Sequence, residues 1–377
     1  MNSLAGGGWL HHGVIAFRGM RIVVRCDTEA PLRWLEEFFG PCETREPEGP
    51  EVCEVRLSID SGRHTAMRRD EHGDQRRIDA FALDGGFAGL TLLSDTPAAR
   101  LLRDEKSASF VTIGTGGHAV QIVAAADHAR VRVLLMRVVR ELAMLESLRR
   151  GDRLVHAAAA VHRGRAILIA GQKRAGKTTT LLGLLSTGEA RYLSNDRVLV
   201  DLFSAPPMAY GLPTVAKVRA DTLDYLPRLT APPGGRHYLT SREYDEGSSL
   251  LNPTRRPDHS MSPAQLCRWL DVTAMAAAPI GLMVFVRVDP SVERFALRRL
   301  DSAEATDRLR DSLFSSGPSG LVSEAFGREW QARTGFDDAR LLPLQAQGVT
   351  ACECRVGPRA FYPPGIWDAI LTTAAIS

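Results

Sequence analysis

Only four of the 377 residues are lysines, Lys106, Lys173, Lys177 and Lys217, and two of them share a five-residue window. That window lies inside Gly171-Gln172-Lys173-Arg174-Ala175-Gly176-Lys177-Thr178, which has the form GxxxxGK[ST]. Before it, Ala166-Ile167-Leu168-Ile169-Ala170 is continuously apolar, as a strand buried on both faces is. After it, Lys177 to Leu185 reads as a helix. In that setting each residue type has a task in holding a phosphate chain. Gly171 and Gly176 let the backbone turn so that successive N–H groups point inward as an anion nest. The helix start adds unpaired donors and the positive end of its dipole. Lys177 places a point charge on the β- and γ-phosphates, and the Thr178 hydroxyl can coordinate Mg²⁺. Gln172, Lys173, Arg174, Ala175 and Thr179 complete the expected nucleotide-binding segment. ATP and Mg²⁺ are the expected cofactors; no residue separates adenine from guanine.

The next apolar segment, Arg191–Ser194, ends in Asn195-Asp196, only 18 residues beyond Thr178. A carboxylate at the C-terminal edge of a strand, beside a phosphate loop, can hold Mg²⁺ or accept a proton from an attacking hydroxyl. Taken alone, Asp196 would as readily cap a turn. Asp201, on the following strand, is a weaker metal candidate with a surface position as its default. His156 stands 15 residues before Gly171 in Leu154-Val155-His156-Ala157-Ala158. Its strand should form a hairpin with the loop's own strand through His162-Arg163-Gly164-Arg165, which makes His156 either a satisfied core residue or a catalytic one. His162, in the turn, is expected to be exposed. Phosphoryl transfer also calls for a cation against the developing charge. Arg236 and Arg242 in the Pro-, Gly-, Arg- and Ser-rich stretch from Leu229 to Ser262 are candidates for a closing lid, as is Lys217.

Together, His156, the Gly171–Thr178 loop and Asn195-Asp196 resemble the C-terminal catalytic domain of HPr kinase/phosphorylase, a relative of phosphoenolpyruvate carboxykinase. The resemblance covers about 50 residues, roughly Leu154 to Asp201. It implies an α/β fold with a mixed sheet and a P-loop. It also implies that His156 assists catalysis, that Lys177 and Thr178 hold phosphate and Mg²⁺, and that Asp196 activates the acceptor hydroxyl. Two features depart from the family. The first of its paired aspartates is Asn195 here, and its glutamate-arginine-glycine segment has no counterpart, since residues 205–220 carry no acid. The chain therefore looks more like the divergent kinases of peptide natural-product clusters, such as lasso-peptide kinases, which phosphorylate a serine of a precursor peptide. The expected activity is transfer of the γ-phosphoryl group to a hydroxyl, with serine of a peptide or protein as the expected acceptor. Two alternatives stay open: a nucleotide-binding accessory protein without transfer activity, and a kinase acting on a small molecule or a guanidino group.

These residues need a scaffold. At about 150 residues per domain the length suggests two domains. A helix with Val131, Leu134, Leu135, Val138, Leu142 and Leu145 at helical spacing runs to Arg150-Gly151. Its N-cap is expected at Asp127, with Arg132, Arg137 and Arg140 on its other faces. The boundary is placed there: 1–150 as a smaller α/β domain suited to acceptor recognition, and 151–377 as the catalytic domain. Within the first domain, residues 1–13 read as a loose tail, Met67–Arg77 as a charged loop and Ala80–Leu83 as a strand. In the second, Leu154–Val161 reads as one strand, and Asp301-x-x-Glu304 as a capping box.

Composition sets the remaining bounds. The chain is 44% hydrophobic and 24% charged, with 47 basic and 44 acidic residues and a formal charge of +3. Such a balance gives no broad grip on nucleic acid. No apolar run approaches the ~20 residues that span a bilayer, and the N-terminus lacks a basic-then-apolar leader. A cytoplasmic protein without membrane or nucleic-acid partners is expected, and the family resemblance makes a homo-oligomer reasonable. The six cysteines are expected to be buried small hydrophobes rather than zinc ligands.

Overall fold

The computed structural model describes residues 10–40, 51–69, 76–79, 89–224, 226, 229–230, 232, 259–314, 326, 348–357 and 365–376. The protein is mixed α/β and divides into two compact units, Met1–Arg150 with Ser315–Gly335 and Gly151–Phe314 with Phe336–Ser377.

In the first unit, β1 (His11–Phe17) and β2 (Met20–Cys26) form a hairpin whose turn residues, Arg18 and Gly19, both have positive φ. That is the backbone twist a two-residue hairpin loop requires. There follow α1 (Glu29–Phe39), β3 (Glu51–Ile59), α2 (Ser61–Arg69), β4 (Arg76–Asp79), β5 (Gly89–Asp95), β6 (Ala99–Asp104), β7 (Ser109–Gly114), β8 (Ala119–Ala124) and α3 (Ala129–Arg149). The strands lie in the order β1-β2-β3-β8-β7-β6-β5-β4, with β3 parallel to both its neighbours and every other pair antiparallel. Alternation sorts the two faces. Val24, Val55 and Val120 share one register line, and Cys26, Leu57 and Ile122 the next, all buried. The intervening line carries Arg25, Arg56 and Gln121, and Glu54 holds both arginines at 2.5 Å.

Several expectations for this unit are revised. Residues 11–13 are not tail but the start of β1. Part of the expected loop at Met67–Arg77 is the end of α2, whose His64 is buried with its ring 2.6 Å from the Ala108 carbonyl. Residues 80–83 lie outside the described residues. The N-cap position of helix α3 is His128, not Asp127, and its side chain makes no cap hydrogen bond; the Asp127 carboxylate accepts from Arg132 at 2.7 and 2.9 Å. Arg137 and Arg140, off the apolar stripe of α3, are buried as well.

In the second unit, β9 (Arg153–Val155), β10 (Ala157–His162), β11 (Arg165–Ala170), α4 (Lys177–Leu185), β12 (Ala190–Ser194), β13 (Val198–Asp201), β14 (Met208–Gly211), β15 (Ala216–Val218) and α5 (Ala220–Asp224) come first. Then come β16 (His259–Met261), α6 (Pro263–Leu270), β17 (Ala277–Val288), β18 (Phe295–Arg299), α7 (Ser302–Ser312), β19 (Thr350–Val356) and α8 (Gly365–Ile376). The long strand β17 organises the sheet. Its start pairs with β14, its middle runs parallel to β11, and its far end runs parallel to β19. Strands β12-β10-β11-β17-β19-β18 form one continuous run, while β14, β13 and β9 continue from the start of β17. Helices α4 and α8 cover one face around Ile167, Ile169 and Val284, and α7 covers the other around Leu168, Met283 and Phe285. Strand β11 is buried on both faces, which is why it reads as an unbroken apolar run. Gly183 of α4 has no room for a side chain, since a Cβ there would lie 2.2 Å from the Trp367 ring on α8.

The second unit also departs from expectation in places. The β10–β11 turn is Arg163-Gly164, both with positive φ, but His162 is buried and its ring bonds the Glu189 carbonyl at 3.1 Å. The Asp301 carboxylate caps α7 through the Glu304 N–H at 2.9 Å. The Glu304 side chain, however, turns to Arg298 instead of closing the box. Cys26, Cys53, Cys267, Cys352 and Cys354 are buried free thiols, and burial pushes Cys354 up to about 12. Among the described residues no group of three or more His, Cys, Asp and Glu side chains is arranged to hold a metal, and no described helix is long and apolar enough to cross a membrane.

Candidate functional site

Register brings the sequence-predicted residues to one edge of the second sheet. Ala157 pairs with Ala170, so His156 precedes β10 at the level where Gly171 follows β11. Ser194 pairs with Ala159 two residues along, so Asn195-Asp196 leaves β12 at the same edge. The expected single strand from Leu154 to Val161 is in fact broken at His156. Val155 pairs with Val198 of β13, whereas Ala157 pairs with β11. Between them the His156 N–H is satisfied by the Ser312 carbonyl at 2.8 Å. A residue at such a crossing is freed from strand alternation, so its ring can turn along the edge.

The loop from Gly171 to Gly176 is shaped by three residues with positive φ: Gly171 at 154°, Arg174 at 70° and Gly176 at 101°. Gly171 is required by space as well, because a Cβ there would stand 2.5 Å from the Val286 carbonyl oxygen. Gly176 is the N-cap of α4 in the left-handed region, which a non-glycine residue enters only under strain. Lys177 is buried and folds back over the loop, its Nζ donating to the Gly171 carbonyl at 2.7 Å and the Gln172 carbonyl at 3.1 Å. Burial holds its pKa below the ordinary lysine value, while the Asp196 charge works in the opposite direction. Gln172, Lys173 and Arg174 are exposed, Thr178 is half-buried in the first turn of α4, and Ala175 and Thr179 are buried.

Across from the loop, the Asp196 Oδ1 lies 3.3 Å from His156 Nε2, and its Oδ2 lies 3.6 Å from Arg197 Nε. Burial penalises the Asp196 charge. The His156 hydrogen bond and the charges of Arg197, His156 and Lys177 outweigh that penalty and hold the carboxyl below its ordinary range. Asp196 is thus an ionised, partly exposed carboxylate within the electrostatic reach of Lys177. The His156 ring leans against Phe314, with centroids 5.5 Å apart. Sequence reasoning missed Arg197 and Phe314. Arg197 adjoins Asp196 and was there to be noticed, but Phe314 comes from the end of α7, 158 positions away from His156.

Asn195 belongs to the core. Its Oδ1 accepts from the Tyr192 hydroxyl at 2.7 Å and the Thr214 hydroxyl at 3.2 Å, and its Nδ2 donates to the Val215 carbonyl at 3.3 Å. An aspartate would turn an oxygen toward that carbonyl and bury a charge. Asn195→Asp is therefore expected to cost about 1–3 kcal/mol in urea unfolding at pH 7, with a smaller loss at pH 5 as the new carboxyl protonates. An unchanged midpoint would contradict this reading of the amide. Asp201 is a turn cap, accepting from the N–H groups of Phe203 and Ser204 at 3.0 and 3.1 Å, so its metal role is not supported. Lys217 is exposed on β15, which among the described residues pairs only with β16, while Arg236 and Arg242 lie outside the described residues.

The donor set suits Mg²⁺ rather than a metal that needs a full protein cage. Thr178 and Asp196 would supply a hydroxyl and a carboxylate, and Mg²⁺ is usually held by one or two such groups plus phosphates and water. A scan of protein-family models gives no match for this chain, and no curated protein matches it.

Proposed function

We propose that the second unit is an ATP- and Mg²⁺-dependent kinase with a fold of the HPr kinase C-terminal type. The carrying observation is the single sheet edge where a glycine loop latched by Lys177 stands opposite an ionised carboxylate bonded to histidine. The loop N–H groups, the α4 N-terminus and Lys177 bind and orient the phosphate chain. Mg²⁺, held by Thr178 and Asp196, would neutralise charge on the β- and γ-phosphates. Asp196 takes the proton of the acceptor hydroxyl as its oxygen bonds to the γ-phosphorus. The bond to the bridging oxygen breaks, and that electron pair leaves with ADP. His156 positions the Asp196 carboxylate through Nε2.

Serine of a peptide or protein is the acceptor class this reading favours, with the first unit as its recognition module. The accessory-protein reading is motivated by the missing aspartate. Asn195, however, is tied into the core by three hydrogen bonds, and Asp196 keeps its place at the edge. Incubating the full chain with Mg–ATP and candidate acceptors should give a phosphoserine peptide by mass spectrometry. A phosphorylated small molecule or guanidino group would redirect the acceptor class, and ATP binding with no transfer to any acceptor would favour the accessory role.

The protonated form of Lys177 is the one that binds phosphate, and in the free protein its pKa is lowered. A bound phosphate raises it again. Mg–ATP affinity is therefore complete below the free-protein pKa and falls as pH rises through it, earlier than an ordinary lysine would require. Titration calorimetry across pH 7 to 10 reads this directly; a flat affinity would contradict it.

A further inference from the structure

We propose that Arg287 supplies the positive charge facing the transferring phosphoryl group, an inference that rests on the kinase reading above. Strand β17 is the loop strand's neighbour on the side opposite β10. Phe285 is level with Ala170, so Arg287 stands two residues farther out, beside the loop itself. The two backbones run close there: a Cβ added to Gly171 would stand 2.5 Å from the Val286 carbonyl oxygen. Arg287 and the His156–Asp196 pair thus flank the loop from opposite sides.

The guanidinium is anchored but not hidden. Its Nε lies 3.1 Å from Glu353 Oε1 and its Nη2 3.4 Å from Asp289 Oδ2, yet the side chain is 49% exposed while that of Glu353 is 4% exposed. The buried Glu353 also faces Arg308 at 2.9 Å, Arg298 at 3.5 Å and Arg355 at 3.8 Å. Four guanidinium groups therefore surround three carboxylates, Glu353, Glu304 and Asp289, leaving an excess positive charge at the sheet edge. Helix α7 braces both flanks, with Arg308 on Glu353 and the Ser312 carbonyl on the His156 N–H. Arg197 already faces Asp196, Lys217 stands on the separate β15–β16 ribbon, and Lys173 and Arg174 belong to the loop itself, so Arg287 is the cation assigned to the flank away from Asp196.

In the reaction the acceptor oxygen, from a hydroxyl or from water, bonds to phosphorus as the bond to the ADP oxygen breaks. The departing pair stays on ADP and the acceptor proton passes to Asp196. Arg287 offsets charge on the equatorial oxygens during that exchange. The test is ADP release from Mg–ATP by the full chain, with Mg–ATP affinity measured alongside. Arg287→Ala should keep affinity within about threefold and lose about 10²–10³ in turnover, partly recovered by added methylguanidinium. Arg287→Lys should lose less, because it keeps the charge but not the fork. Turnover of Arg287→Ala within threefold of the parent, or a loss that methylguanidinium leaves untouched, would overturn the proposal. If the parent binds Mg–ATP and Lys177→Ala weakens that binding, such a result removes Arg287 alone; if the parent neither binds nor turns over ATP, the kinase reading falls with it.

Discussion

Lys177→Ala is expected to weaken Mg–ATP binding by about 30- to 150-fold, measured by titration calorimetry at pH 7. The size follows from a charge-assisted contact to phosphate, worth about 2–3 kcal/mol when its cation is removed. The side chain already points over the loop, bonded to the Gly171 and Gln172 carbonyls. Binding therefore exchanges two carbonyl partners for phosphate oxygens without a large rearrangement. The fold should survive, because what is lost is a tether within the loop and not part of either apolar cluster. An affinity unchanged by the substitution would mean that phosphate binds elsewhere or not at all.

Asp196→Asn separates binding from chemistry. Affinity for metal-free ATP, which depends on the loop and Lys177, should stay within about threefold, while turnover of Mg–ATP should fall by about 10²–10⁴, the usual contribution of a positioned general base. The amide keeps the shape and can still meet His156, but it cannot take a proton. The depressed pKa of Asp196 also has a consequence for stability. The carboxylate contributes stability above its unfolded value, and that contribution is lost as pH falls through the lower folded value. The difference in melting temperature between parent and Asp196→Asn should therefore persist from neutral pH into the ordinary carboxylate range and close only below it. An Asp196→Asn protein with parental turnover would remove the base from this scheme.

Much of the site's position was legible because it depends on local rules. The loop glycines, the buried β11 and the start of α4 are set by backbone conformation and apolar run length, which a linear reading captures. The shared edge of His156, Gly171 and Asp196 follows from a hairpin and one further antiparallel pairing, both short-range in sequence. What escaped was long-range. The break at His156 arises because β9 joins β13 while β10 joins β11, and no local signal marks that switch. Arg287 and Glu353 are 66 positions apart and meet only because β17 and β19 pair in parallel. Asn195 reads as a lost catalytic acid in the sequence; besides Tyr192, three residues earlier, the contacts that make it structural come from Thr214 and Val215, 19 and 20 residues later. The burial of Arg137 and Arg140 was not legible, because an amphipathic stripe says nothing of what covers the other faces of α3.

The most direct measurement is a crystal structure of the full chain with Mg²⁺ and a non-hydrolysable ATP analogue. The account predicts the triphosphate tail along the 171–178 backbone, with Lys177 moved from the loop carbonyls onto the phosphates. Asp196 should lie within reach of the metal, and Arg287 on the opposite flank of the γ-phosphate. A complex with the loop empty, or with the analogue bound away from Asp196, would contradict it.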